Sequence, residues 1–105
     1  MNEYHAGTRV KCQMTFYADE AETTPADPTA VTFMMKVPRG PITTYVYLTD
    51  AQLVKVSTGV YRVMWDTNGA ADGVGVYTYY FHGTGAVVES KEKEFKTKKT
   101  IFLGY

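Results

Sequence analysis

Between Thr8 and Tyr17 every second side chain is apolar: Val10, Cys12, Met14 and Phe16 fall on one side, and Arg9, Lys11, Gln13 and Thr15 on the other. A repeat of two marks a half-buried β-strand, because successive side chains of an extended backbone point to opposite faces. The same repeat returns at Val31 to Val37, with Val31, Phe33, Met35 and Val37 inward. It returns again at Val60 to Asp66, where Tyr61, Val63 and Trp65 share a face, and at Val76 to His82, where Tyr77, Tyr79 and Phe81 do. Thr43 to Leu48 is a short β-rich run. Leu53 to Val56 predicts a further strand, unless Thr49 to Gln52 opens one helical turn instead. Ala86 to Thr97 predicts one long strand or two, with the alternation weakening among its lysines. No stretch sustains a helical period.

Turn chemistry separates these runs. Ala18 to Thr29 is acidic, holds two prolines and reads as a loop, and Thr67 to Gly75 is a second loop rich in Gly, Ala, Asp and Asn. Pro38-Arg39-Gly40-Pro41, Ser57-Thr58-Gly59 and Gly83-Thr84-Gly85 are turns. About seven short strands at this spacing predict an all-β sandwich or small barrel. The chain has 105 residues, the size of one domain, long enough to bury a core without staples. Residues 1–97 read as that domain and residues 98–105 as a basic-apolar tail.

The eleven basic and eleven acidic residues cancel, so no global field recruits nucleic acid or an anionic membrane. Cys12 is the single cysteine, which excludes an internal disulfide and a thiolate zinc cluster. The opening MNEYHAGTRVK lacks the layout of a signal peptide, and no apolar run reaches membrane-spanning length. The expectation is an unprocessed chain made in the cytosol, with no cofactor and no metal.

Five segments come in a recognisable order: YHAGTRVKCQMTF at the start, DPTAVTFMMKVPRG, STGVYRVMWD, an aromatic run before HGTGAVVES, and Glu92-x-x-Phe95. Together they resemble a group of small immunoglobulin-like proteins encoded among the head and head–tail genes of tailed bacteriophages, and the likeness runs over most of the chain. The resemblance implies an antiparallel immunoglobulin-like sandwich and a structural role in the virion, on the capsid surface or at the neck. Its partners would be major capsid or neck proteins, met as a homo-oligomer or symmetric array. Two features depart from the pattern: the continuation KTKKTIFLGY past the Glu-x-x-Phe element, and the long glycine-rich loop DTNGAADGVG.

The residues that resemble chemistry are few. His5 and His82 lie in no metal spacing and near no nucleophile motif. Cys12, on an alternating apolar face, reads as a small core residue. Asp19, Glu20, Glu22 and Asp27 cluster in one loop. A solvated loop is the expectation there, with an ion site or an acid–base pair as alternatives. Gly69, Gly73-Val74-Gly75 and Gly83-Thr84-Gly85 lack the helix that a phosphate cradle requires. A small hydrolase built from these scattered groups would need a cleft where they converge.

Two candidates for binding remain. The aromatic run puts Tyr77, Tyr79 and Phe81 on one face and Thr78 and Tyr80 on the other. Tyr61 and Trp65 belong to the preceding strand, which would pair with it if the two form a hairpin; one face must be core, and the other could offer an aromatic platform for sugar or protein. The tail carries Lys98 and Lys99 and then Ile101, Phe102, Leu103 and Tyr105, which either complete the last strand or form a docking arm for a neighbouring subunit. The expected function is therefore a non-enzymatic virion component that decorates or cements the capsid, or sits at the head–tail junction. The alternative is a carbohydrate-binding or adhesion module.

Overall fold

A computed structural model describes residues 2–67 and 73–99 of the chain. Its strands are β1 (Asn2–His5), β2 (Arg9–Thr15), β3 (Ala30–Lys36), β4 (Ile42–Val46), β5 (Leu53–Ser57), β6 (Val60–Asp66), β7 (Val76–Thr84) and β8 (Glu89–Lys98). They form two sheets, one of five strands in the order β1-β8-β7-β3-β4 and one of three in the order β2-β6-β5. The pairings are antiparallel except β1 with β8, which run parallel in the register Asn2↔Phe95 to His5↔Lys98. The domain is an all-β, two-sheet sandwich.

Period-two reasoning places the core correctly. Val10, Cys12, Met14 and Phe16 from the first run, Val31, Phe33, Met35 and Val37 from the second, and Tyr61, Val63, Tyr77, Tyr79 and Phe81 are all buried. Phe33 on β3 sits at the centre of the aromatic packing. It stacks on Tyr45 at 6.0 Å, meets Phe81 edge-on at 5.0 Å, and reaches Trp65 of the opposite sheet at 6.5 Å. The weak alternation of β8 has a geometric cause. Phe95, packed against Tyr4, Tyr77 and Tyr79, and Thr97, bonded to Gly75, are buried, while Lys91 and Lys93 line an open crevice with Gln13 and Thr15 of β2.

Three local readings need revision. The strand β1 is additional to those read from the sequence. It has four residues and one inward side chain, Tyr4, which packs edge-on against Phe95 at 5.6 Å, so it carries no repeat to detect. The hairpin left open between the Trp65 strand and the aromatic strand does not form. β6 pairs with β2 and β5, β7 pairs with β3 and β8, and the chain crosses from one layer to the other between them. Gly83 and Thr84 extend β7 instead of turning, with Gly83 opposite Val31 and Glu89.

Three of the segments that carried the resemblance meet at one end of the sandwich. The Asp27 carboxylate accepts hydrogen bonds from the Gly59 amide (2.7 Å), the Lys55 ammonium (2.7 Å) and the Tyr61 hydroxyl (3.3 Å), tying Asp-Pro-Thr to Thr-Gly-x-Tyr. Gly59 has φ +76°, and a Cβ there would stand 2.7 Å from the Phe16 carbonyl oxygen, so the close approach requires glycine. The Thr29 hydroxyl accepts from the Ala86 amide at 3.0 Å, joining Asp-Pro-Thr to the Gly-Thr-Gly segment. At the other end the Thr67 hydroxyl donates to the Thr8 carbonyl (2.7 Å) and accepts from the Gly7 amide (3.1 Å). These motif residues are occupied in holding loops to strands.

Candidate interaction surface

The groups able to do chemistry are dispersed or engaged. The Cys12 thiol is fully buried, and burial pushes its pKa up to about 12, which leaves it a poor nucleophile. His5 lies opposite Lys98 and His82 opposite Ser90, eight residues apart on β8, which is about 26 Å at the strand rise. The loop carboxylates diverge. Asp19 closes its own loop by accepting from the Thr23 and Thr24 amides and the Thr23 hydroxyl, Glu22 pairs with Lys91 at 3.3 Å, and Asp27 holds Gly59 and Lys55. These donors hold the Asp19 carboxyl below the usual carboxylate range, the Thr23 hydroxyl contributing most, and the Lys55 ammonium does most to lower Asp27. Among the described residues no three His, Cys, Asp or Glu side chains are grouped to hold a metal, and no helix there is long and apolar enough to cross a membrane.

The expected aromatic platform is divided. Trp65 turns inward against Phe33 and Tyr45 (6.2 Å), and its indole N–H has no hydrogen-bond partner. Tyr80 lies on the outer face of the five-stranded sheet, stacked on His82 at 5.9 Å with the rings 9° from parallel. The His82 Nδ1 is likewise without a hydrogen-bond partner.

That outer face mixes polar and apolar side chains. Its central row runs Thr44, Met34, Tyr80, Glu92 across β4, β3, β7 and β8, flanked by Ile42-Lys36-Thr78-Glu94 and Val46-Thr32-His82-Ser90. Met34, Ile42 and Val46 are exposed, and a shallow depression is lined by Met34, Ile42 and Tyr80 together with Lys36, Thr78 and Glu92. Past the end of β4, Leu48 is 87% exposed, beside a depression it lines with Leu53 and Val54 of the other sheet. Leu48 has φ +74°, a left-handed backbone conformation unfavourable for a branched, bulky side chain. The turn imposes it: the Thr49 and Asp50 amides both donate to the Val46 carbonyl (3.1 and 2.8 Å), and the Asp50 carboxylate accepts from the Val46 amide at 2.8 Å.

Comparison with protein-family models, curated proteins and solved structures returns no match.

Lys98 is the last residue of β8, and Lys98 and Lys99 are both exposed. Ile101, Phe102, Leu103 and Tyr105 lie outside the described residues, as does Gly69. The surface around β4 was missed in the sequence. Its trace there is the run Ile42 to Leu48, seven residues between two turns with no charge, proline or glycine among them.

Proposed function

We propose that this chain is an immunoglobulin-like sandwich acting as a non-enzymatic structural component of a tailed-bacteriophage particle, decorating or cementing the capsid or sitting at the head–tail junction. The observation that carries the reading is the convergence of three of its ordered motifs. Asp-Pro-Thr, Thr-Gly-x-Tyr and Gly-Thr-Gly are far apart in sequence yet meet in one set of hydrogen bonds, so the resemblance rests on residues that work together. Strand order supports the immunoglobulin-like part. Sheets β2-β6-β5 and β8-β7-β3-β4 reproduce the B-E-D and G-F-C-C′ arrangement, with β1 added beside β8. The Tyr77 hydroxyl donates to the Gly73 carbonyl four residues upstream at 3.0 Å, the geometry of a tyrosine corner at the start of the F strand.

The role needs only contacts, and symmetry repeats them, so modest affinity at each site suffices. The reading keeps Ile101, Phe102, Leu103 and Tyr105, with Lys98 and Lys99, as a docking arm toward major capsid or neck proteins.

The test is co-purification with particles of the source phage on a density gradient, quantified by mass spectrometry. A copy number in the hundreds assigns capsid decoration, and about six or twelve assigns a neck ring. Absence from the particle sinks the virion reading. Deleting residues 100–105 is expected to leave the fold intact and abolish incorporation; normal incorporation of the truncated chain removes the arm. The Tyr80–His82 stack is the feature that favours a carbohydrate-binding reading instead. That reading requires sugar binding that is lost in Tyr80→Ala, and a glycan panel without a hit eliminates it.

A further inference from the structure

A sheet of five strands packed on a sheet of three leaves part of the larger one uncovered. Here that part includes the start of β8. Glu89, Lys91 and Lys93 share the face of the buried Phe95, yet Lys91 and Lys93 line an open crevice with Gln13 and Thr15 of β2. β2 is an edge strand that pairs with β6 alone. The Thr8 carbonyl accepts from the Thr67 amide and the Phe16 amide donates to the Gly59 carbonyl, both on the β6 side. Alternate residues of an antiparallel edge strand turn their main chain outward, so Lys11, Gln13 and Thr15 present theirs to the crevice side. Among the described residues nothing bonds to those amides and carbonyls. Tyr17, next in the row, already donates its amide to the Glu89 carboxylate of β8 at 3.2 Å.

We propose that the free edge of β2 accepts an extended segment of an acidic partner protein. The segment adds to the three-stranded sheet by main-chain pairing with Lys11, Gln13 and Thr15, and points alternate carboxylates into the crevice toward Lys91 and Lys93. Main-chain bonds supply affinity in such strand addition, and the alternate side chains supply specificity. Packed sheets lie about 10 Å apart, a gap that a lysine from one layer and a glutamate from the other close between them. The crevice already takes carboxylates, since Lys91 holds Glu22 and Glu89 at 3.3 and 3.4 Å. Lys93 and Lys11, on either side of the edge, enter no ion pair among the described residues, so positive charge is left over where the strand would lie. A second copy of β2 would bring Arg9 and Lys11 to the same edge, so the charge that selects an acidic strand also turns away self-pairing. The proposal does not depend on the virion reading.

Titrating the full chain with a short synthetic peptide that alternates glutamate and threonine tests it, with a lysine–threonine peptide as control. Saturable binding of the acidic peptide alone is expected, weakening as salt is raised, with the Lys11, Gln13 and Thr15 amides gaining hydrogen-exchange protection. Lys93 is exposed, so Lys93→Glu leaves the fold intact, which circular dichroism checks. That variant is expected to bind the acidic peptide at least about tenfold more weakly and to admit the lysine peptide in its place. Gln13→Pro removes an outward amide donor at an edge position, where proline is tolerated, and is expected to abolish binding with Lys93 still present. If Gln13→Pro unfolds, the charge exchange at Lys93 decides alone. No binding of the acidic peptide overturns the proposal. So does binding that Lys93→Glu leaves unchanged, protection that falls on another strand, or equal binding of both peptides, which would mean pairing without selection by charge.

Discussion

Leu48 is held in a conformation that its own side chain resists. A left-handed backbone costs an L-residue about 1 to 2 kcal/mol, and glycine escapes that cost while losing about 0.5 to 1 kcal/mol through its freer unfolded chain. Leu48→Gly is therefore expected to raise stability by about 0.5 to 1 kcal/mol, read from the denaturant midpoint. An unchanged or lower midpoint would mean that the exposed leucine already contributes packing in solution. Asp27 works in the opposite sense. Its carboxyl titrates below the usual carboxylate range, first because of Lys55 and then because of the Gly59 amide. A depressed folded pKa adds stability that is complete above the unfolded value of about 3.9 and is lost as pH falls through the folded value. Asp27→Asn is expected to lower stability at neutral pH by about 1 to 2 kcal/mol, through weakened bonds to Gly59 and Lys55. The same variant should flatten the acid limb of the pH–stability curve. Equal slopes for variant and parent below pH 4 would show that Asp27 is not the titrating group.

At the level of strands, the contrast lies between β1 and β4. β1 contributes little core, yet it covers the β8 edge and brings Tyr4 against Phe95. Removing residues 1–5 is expected to cost about 1 to 3 kcal/mol, in the range of partly unburying an aromatic pair. Denaturant unfolding reads the loss, and an unchanged midpoint would mean that β1 contributes nothing to the fold. The inward faces of β2, β3, β6 and β7 were legible because alternation is a local property. Pairing was not. Trp65 and the aromatic strand look like hairpin partners until the sheets are assembled, and β1 is too short to repeat. The exposed β4 surface was illegible for the same reason, since Ile42 and Val46 sit on an edge only because, among the described residues, no strand follows β4 in the strand order. The sequence pointed instead to Ile101, Phe102, Leu103 and Tyr105, where apolar residues stand out without any knowledge of topology.

For the whole molecule, Phe33 links the layers. It belongs to the five-stranded sheet and touches Trp65 of the three-stranded one, so neither sheet separates without exposing it. Phe33→Ala is expected to cost about 3 to 5 kcal/mol, a large fraction of the 5 to 15 kcal/mol typical of a domain. Unfolding should remain one transition, with Trp65 fluorescence and far-UV circular dichroism coinciding; separate midpoints would mean that the sheets melt independently. The parallel union of β1 and β8 also has a mechanical side. Asn2 lies level with Phe95 and His5 with Lys98, so a pull drawing Asn2 and Lys98 apart slides the two strands lengthwise past one another. Every bond between them then bears the load together. An antiparallel pair tugged from one end would tear bond by bond like a zip, whereas here the domain meets tension along its length as a lap joint does.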